Sequence, residues 1–255
     1  MELNFKTFGS GEPLIILHGL FGTLDNWQTL ARRFAEHYTV YIIDQRNHGR
    51  SPHLDSMDYP ALAEDLKSFM ESQWMYNAHI IGHSMGGKTA MQFSMEYPDM
   101  VNKLVVVDIA PKAYPGLHDP IFDALLSMDL DRIQSRQEAE DWLAPKIDDL
   151  SIRQFLMKNL TRSKAGGFEW KMNLPVIYKY YGHILAPISV REAFENPTLF
   201  IRGNRSSYIL DDDWSGIQDH YPNARLFSVA NAGHWVHAEA PDVFYETALS
   251  FLQSS

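Results

Sequence analysis

The sequence predicts an α/β fold: a doubly wound, mostly parallel sheet carrying a helical cap insertion. Three observations predict it. Short runs of β-branched and apolar residues alternate with stretches of helical periodicity, the signature of successive strand–helix units under right-handed crossovers. Several of those runs are apolar at every position, as strands covered on both faces must be. From Lys112 to Arg191, by contrast, no convincing strand breaks a series of helical patterns rich in Trp, Phe, Met and Tyr. That stretch is too long for one crossover.

Taken in order, strands are expected at residues 14–17, 39–43, 78–81, 103–107, 198–201 and 225–229. Helices are expected at 25–37, capped by Asp25 or Asn26, and then at 59–73 and 85–97. A last helix, 242–252, has Pro241 near its first turn. The organisation read from this is a core of residues 1–111 and 192–255, with 112–191 as a cap or lid. Its aromatics, among them Phe122, Trp142, Phe155, Trp170 and Tyr181, either form the insertion's own core or line a pocket.

Composition narrows the function classes. Of 255 residues, 22 are Lys or Arg and 32 Asp or Glu, a net charge of −10, which argues against a nucleic-acid surface or an anionic headgroup footprint. There is no cysteine, so disulfides, thiol nucleophiles and thiolate metal sites are excluded together. The apolar run at 13–17 is shorter than the ~7–15 residues of a secretory signal, and nothing approaches the ~20 of a membrane span. These features fit a cytoplasmic protein, a monomer or small homo-oligomer, with no membrane or nucleic-acid partner.

The sharpest local signal is Gly82-His83-Ser84-Met85-Gly86-Gly87. An apolar strand runs into it and a helical pattern runs out, so Ser84 stands on a tight strand-to-helix turn with its Oγ at the carboxyl edge of the sheet. The helix behind it aims N–H groups and partial positive charge at the same point. A serine nucleophile needs donors for an oxyanion. Met85 N–H is one, and the loop His18-Gly19-Leu20-Phe21-Gly22, after the first expected strand, supplies the other from Leu20, with Phe21 as the alternative. His18, at a strand end, reads as a buried scaffold. The base is expected on the late loop Ala232-Gly233-His234-Trp235-Val236-His237, with His234 taking that role and His237 bracing the loop. No third ligand accompanies these two histidines, so no metal is expected. His83 reads as packing behind the nucleophile.

In order along the chain, H-G-x-x-G (18–22), D-x-R-N-H-G-x-S-P (44–52), G-H-S-M-G-G (82–87) and G-H-W-V-H-A-E-x-P (233–241) resemble the α/β-hydrolase fold family. They most resemble its small bacterial carboxylesterase branch, which is related to acyl-thioester hydrolases and to a mitochondrial serine hydrolase. The resemblance runs from about residue 14 to 252. It implies a triad acid three residues beyond a glycine on the strand before the histidine loop, and here that position is Ser206. A hydroxyl cannot hold an imidazolium as a carboxylate does.

Asp108, ending the run Leu104-Val105-Val106-Val107, falls on the same sheet edge one strand beyond Ser84. An isolated buried carboxylate there would be costly, and an imidazolium is a good partner for it. The resembling esterase branch has the same V-D-I-A-P segment with its acid at the Asp. Asp211, Asp212 and Asp213 are the alternatives, although three consecutive acids read more as a helix start. Asp44 and Arg46 read as an ion pair fixing the turn at Asn47-His48-Gly49.

The expected chemistry is two-step acyl transfer from an ester or thioester of a small molecule, without a cofactor. Phe21, Trp142 and Trp235 are the expected substrate contacts. A phosphate-bearing leaving group would draw on Lys112, Arg162, Lys164, Arg202 or Arg205. A serine at the elbow excludes the aspartyl-ester route of dehalogenases and epoxide hydrolases. It leaves C–C bond hydrolysis, cofactor-free peroxidation and a small-molecule receptor as alternatives.

Overall fold

The computed structural model describes residues 1–164, 166–189 and 192–254. Its strands are β1 (Phe5–Phe8), β2 (Pro13–Leu17), β3 (Thr39–Ile43), β4 (Ala78–His83), β5 (Val101–Val107), β6 (Leu160–Arg162), β7 (Phe168–Trp170), β8 (Thr198–Gly203) and β9 (Ala224–Val229). Seven of them form one sheet in the order β1-β3-β2-β4-β5-β8-β9, parallel except for β1 against β3. All six expected strands lie wholly inside observed ones.

Two faces of the sheet receive alternate residues of the same strands, as period-2 geometry requires. Leu14, Ile16, Val40, Ile42, Ile81, Val105, Val107 and Ile201 pack with helices α1 (Gln28–Phe34) and α11 (Pro241–Gln253). Ile15, Leu17, Ile43, Ile80, Leu104, Val106 and Phe200 pack on the other face, with α2 (Tyr59–Ser72) and α3 (Met85–Glu96). After β2 the chain steps to β3, then returns to lay β4 on β2's other side. The crevice beyond the carboxyl ends of β2 and β4 is therefore a topological switch point, where open α/β sheets bind their ligands.

Between β5 and β8 lie helices α4 (Asp119–Leu126), α5 (Arg136–Leu143), α6 (Leu150–Met157), α7 (Leu174–Lys179) and α8 (Tyr181–Leu185). The expectation of a strand-free segment is corrected by the antiparallel hairpin β6–β7, whose Leu160 faces Trp170 and Arg162 faces Phe168. The boundary placed at Arg191 lies outside the described residues. Two other elements were not anticipated, β1 and the short α10 (Val236–Glu239), whereas helix α9 (Asp213–His220) begins at the three acids read as a helix start.

The first expected helix is broken into a 3-10 turn, Leu24–Trp27, followed by α1. Its cap is Thr23 rather than Asp25 or Asn26: the Asn26 side chain accepts from Thr23 N–H at 2.7 Å, and Asp44 Oδ1 accepts from Leu24 N–H at 2.7 Å. That second bond also corrects the Asp44–Arg46 pair. Arg46 instead donates to both oxygens of Asp65 on α2, while Asp44 collects Asn4 Nδ2, Leu24 N–H and Arg50 N–H. Both residues still serve the turn, one by buried charge pairing and one as a hub for backbone amides. Among the described residues, no helix is long and apolar enough to cross a membrane.

Candidate active site

Ser84 is the single residue between β4 and α3. Its backbone sits at φ 54°, ψ −120°, a conformation that costs a non-glycine residue about 1–3 kcal/mol and persists only where its surroundings enforce it. Ser84 N–H donates to Val107 O at 3.0 Å, and its carbonyl accepts from Lys88 N–H at 3.0 Å as the first turn of α3 closes. Gly82 and Gly86 make the turn possible. A Cβ on Gly82 would lie 2.3 Å from Gly86 O, and one on Gly86 would lie 2.5 Å from the carbonyls of Leu17 and His18. The Ser84 side chain lines a cavity of about 370 Å³ together with Leu20, Met85, Lys88, Tyr114, His118 and Tyr208. Ser84 Oγ has no hydrogen bond among the described residues; such contacts are often long in ligand-free sites.

His234 stands on the loop between β9 and α10, and its Nδ1 is 2.8 Å from Asp108 Oδ2. Asp108 directly follows β5, wholly buried, at φ 51°. Its Oδ1 accepts from Gly203 N–H at 3.1 Å and its Oδ2 also accepts from Ser206 Oγ–H. The hydroxyl at the position where the resemblance implies an acid is thus a donor to the Asp108 carboxylate. Asp211 pairs with Arg202 at 2.6 Å and Asp213 with Lys112 at 2.6 Å, while Asp212 precedes α9; none of the three hydrogen bonds to His234.

One face of the His234 imidazole is covered by Tyr208, whose ring is stacked at 3.9 Å and 18°. His83 donates from Nε2 to the His234 carbonyl at 2.9 Å, fixing the loop from behind. His237 lies between the rings of Trp27, stacked at 4.1 Å, and His83 at 4.6 Å. Burial is the first cause that holds both supporting rings neutral: His83 well below the ordinary histidine value, and His237 at about 3.

The loop after β2 is built by two further neutral rings. His18, pushed by burial to about 4, accepts from Gln45 N–H at Nε2, 3.0 Å. His48, pushed by burial to about 3, donates from Nδ1 to Arg46 O at 3.0 Å and so accepts at Nε2 from Phe21 N–H at 3.3 Å. The Phe21 carbonyl accepts from Asn159 Nδ2 at 2.6 Å. With φ 59° at Phe21 and both its peptide groups engaged, the Leu20 and Met85 N–H groups have no hydrogen-bond partner among the described residues. His48 and Asn159 escaped sequence reading. The N-H-G turn signalled a loop, not what its imidazole would face, and Asn159 carries no local pattern at all.

The residues expected to touch substrate fare differently. Phe21 packs on Phe122 at 5.0 Å, Trp235 lies 5.8 Å from Phe155, and Trp142 donates to Ala124 O at 3.2 Å with Lys146 over its ring. None of the three lines the cavity at Ser84, whose walls come instead from tyrosines, His118 and Lys88. Lys112, Arg162, Lys164, Arg202 and Arg205 do not line it either. Lys112, Arg202 and Arg205 are occupied by Asp213, Asp211 and Glu239. Among the described residues no group of side chains is arranged to hold a metal ion.

Residues 12–241 match the family model described as alpha/beta hydrolase fold. The chain is 37% identical to the esterase YbfF of Escherichia coli, over 95% of this chain and 94% of that protein. It is 36% identical to the sn-1-specific diacylglycerol lipase ABHD11 of Mus musculus, over 94% and 80%. The solved structure of a marine microorganism esterase superposes with a TM-score of 0.96 at 45% identity, covering 98% of this chain and 99% of that one. A sheet with its crevice at the β2/β4 switch, a strained serine at that crevice and these relatives lead to one assignment: the chain belongs to the α/β hydrolase fold family, within the branch that contains these esterases.

Proposed function

We propose that the protein hydrolyses carboxylic esters of small molecules through an acyl-enzyme, with Ser84 as nucleophile, His234 as general base and Asp108 as the acid that orients it. The observation that carries the reading is the Asp108–His234 hydrogen bond, at the same sheet edge as a serine held at φ 54° beside two unpartnered amides. Ser84 Oγ attacks the ester carbon and gives its proton to His234 Nε2. Charge that collects on the carbonyl oxygen is met by Leu20 and Met85 N–H, donors of a kind worth about 3–4 kcal/mol each. The protonated His234 then passes its proton to the departing alcohol as the C–O bond breaks. Water attacks the acyl-enzyme by the same route in reverse, and Ser84 regains its proton. Thioesters fall within the same chemistry.

Residues 112–191 are the cap in this reading, and they supply Tyr114, His118 and Tyr181 to the cavity wall. Steady-state hydrolysis of p-nitrophenyl esters from acetate to palmitate tests the proposal. Wild type should turn over many times, and its optimum chain length sizes the cavity. Ser84→Ala and His234→Ala should each lose at least about a thousandfold, and Asp108→Asn about 10⁴-fold in kcat. A single burst without turnover would move a receptor role ahead of catalysis, and near-full activity in Asp108→Asn would displace the acid.

A further inference from the structure

His118 lies at the start of the insertion, one residue before α4, and lines the cavity that Ser84 enters. Its Nδ1 is 2.8 Å from Tyr181 Oη, on α8. The same oxygen accepts from the backbone N–H of His118 at 3.0 Å. A phenol oxygen has two lone pairs and one proton. With one lone pair taken by that amide, the phenol keeps its proton to donate to Nδ1. In that arrangement the imidazole proton of His118 is carried on Nε2, which has no partner among the described residues and is not sealed from solvent.

From this arrangement, and resting on the ester-hydrolase reading above, we propose that His118 is a specificity-determining residue: Nε2–H hydrogen bonds an acceptor oxygen on the substrate. That oxygen is an ether, carbonyl or hydroxyl oxygen a few atoms from the scissile bond. Burial holds His118 neutral, at about 4, so near neutral pH it acts as a fixed single donor and not as a charge or a base. Apart from Ser84 and the Tyr208 hydroxyl, on the ring stacked over His234, the polar side chains of the wall are already engaged. The Tyr114 hydroxyl is spent between Ala110 N–H and Tyr208 O, the Tyr59 hydroxyl donates to Ile184 O, and Lys88 Nζ is drawn to the carbonyls of Leu185 and Ala186.

The acceptor can belong to the acyl or the alcohol half of the ester, and isosteric pairs separate the two. p-Nitrophenyl 3-methoxypropanoate against p-nitrophenyl pentanoate varies the acyl half; 2-methoxyethyl acetate against butyl acetate varies the alcohol. The readout is the ratio of kcat/KM within each pair, compared between proteins so that intrinsic reactivity cancels. In one of the two series His118→Phe should lower the wild-type ratio about tenfold, the worth of one neutral hydrogen bond. Tyr181→Phe should lower it less, and His118→Gln should retain much of it. Affinities of Ser84→Ala and Ser84→Ala/His118→Phe for the same four esters repeat the comparison without turnover. An unchanged ratio in both series, or an equal loss on the methoxy and alkyl esters, overturns the proposal. Turnover retained by Ser84→Ala overturns the nucleophile assignment instead, and leaves the His118 comparison readable.

Discussion

Asp108 accepts from three donors at once: Gly203 N–H, Ser206 Oγ–H and His234 Nδ1. A buried carboxylate with three donors leaves no unsatisfied acceptor in the core, and one of those donors is the imidazole that it orients in the proposed triad. Ser206 lies one hydrogen bond from that carboxylate, so an aspartate there would face the same imidazole from the next strand. The exchange Asp108→Ser/Ser206→Asp should therefore recover roughly ten- to a hundredfold of the kcat lost in Asp108→Asn, while Ser206→Asp alone should reduce activity by setting two carboxylates against each other. Steady-state kinetics on one p-nitrophenyl ester decides it, and a double variant no better than Asp108→Asn would show position 206 out of reach. Both halves of this arrangement are legible along the chain, because a serine where an acid is implied and a lone aspartate after an apolar run are each visible in one dimension. His48, Asn159 and Tyr208 were invisible for the converse reason: each acts on a partner 26 or more positions away, at a place no local pattern marks.

At the scale of elements, the elbow works because two glycines let α3 start against β4 and β2 together. Gly86→Ala pushes a methyl group into the carbonyls of Leu17 and His18, and should cost roughly 3–5 kcal/mol or abolish soluble expression. Denaturant unfolding measures it, and a cost under about 1 kcal/mol would mean that the helix start can slide. The insertion reaches the same region through Asn159, just ahead of β6, whose amide holds the Phe21 carbonyl. Asn159→Leu should lower kcat about tenfold with KM nearly unchanged, since a donor turned away from the oxyanion weakens the transition state alone. A change confined to KM would make the contact a matter of binding. Element by element, the buried parallel strands were legible because every position is apolar. Strand β1 was not: it is an edge strand whose sequence, Phe-Lys-Thr-Phe, does not alternate. The three-residue strands β6 and β7 are shorter than any period they could display.

Across the molecule, His18, His48 and His237 are buried and neutral, at about 4, 3 and 3. A histidine lowered in the folded state binds a proton less readily than in the unfolded chain, so its contribution is intact above the unfolded value near 6.5 and is lost as pH falls toward the folded one. At pH 5 each of these three rings then costs about 2 kcal/mol by linkage. The free energy of unfolding should drop by several kcal/mol between pH 7 and pH 5, and His48→Gln should flatten part of the slope. Stability unchanged over that interval would mean the rings protonate without unfolding the fold.

Placing the carboxylate on β5 has an inheritance of its own. The elbow and the acid are delivered within one continuous segment, β4-α3-β5, and the β8 loop is released from carrying either. Tyr208 occupies that released loop, flat against His234. Under the proposed triad, the ring cover over His234 can be exchanged at Tyr208 alone, while Ser206 in the same loop keeps its hydrogen bond to Asp108.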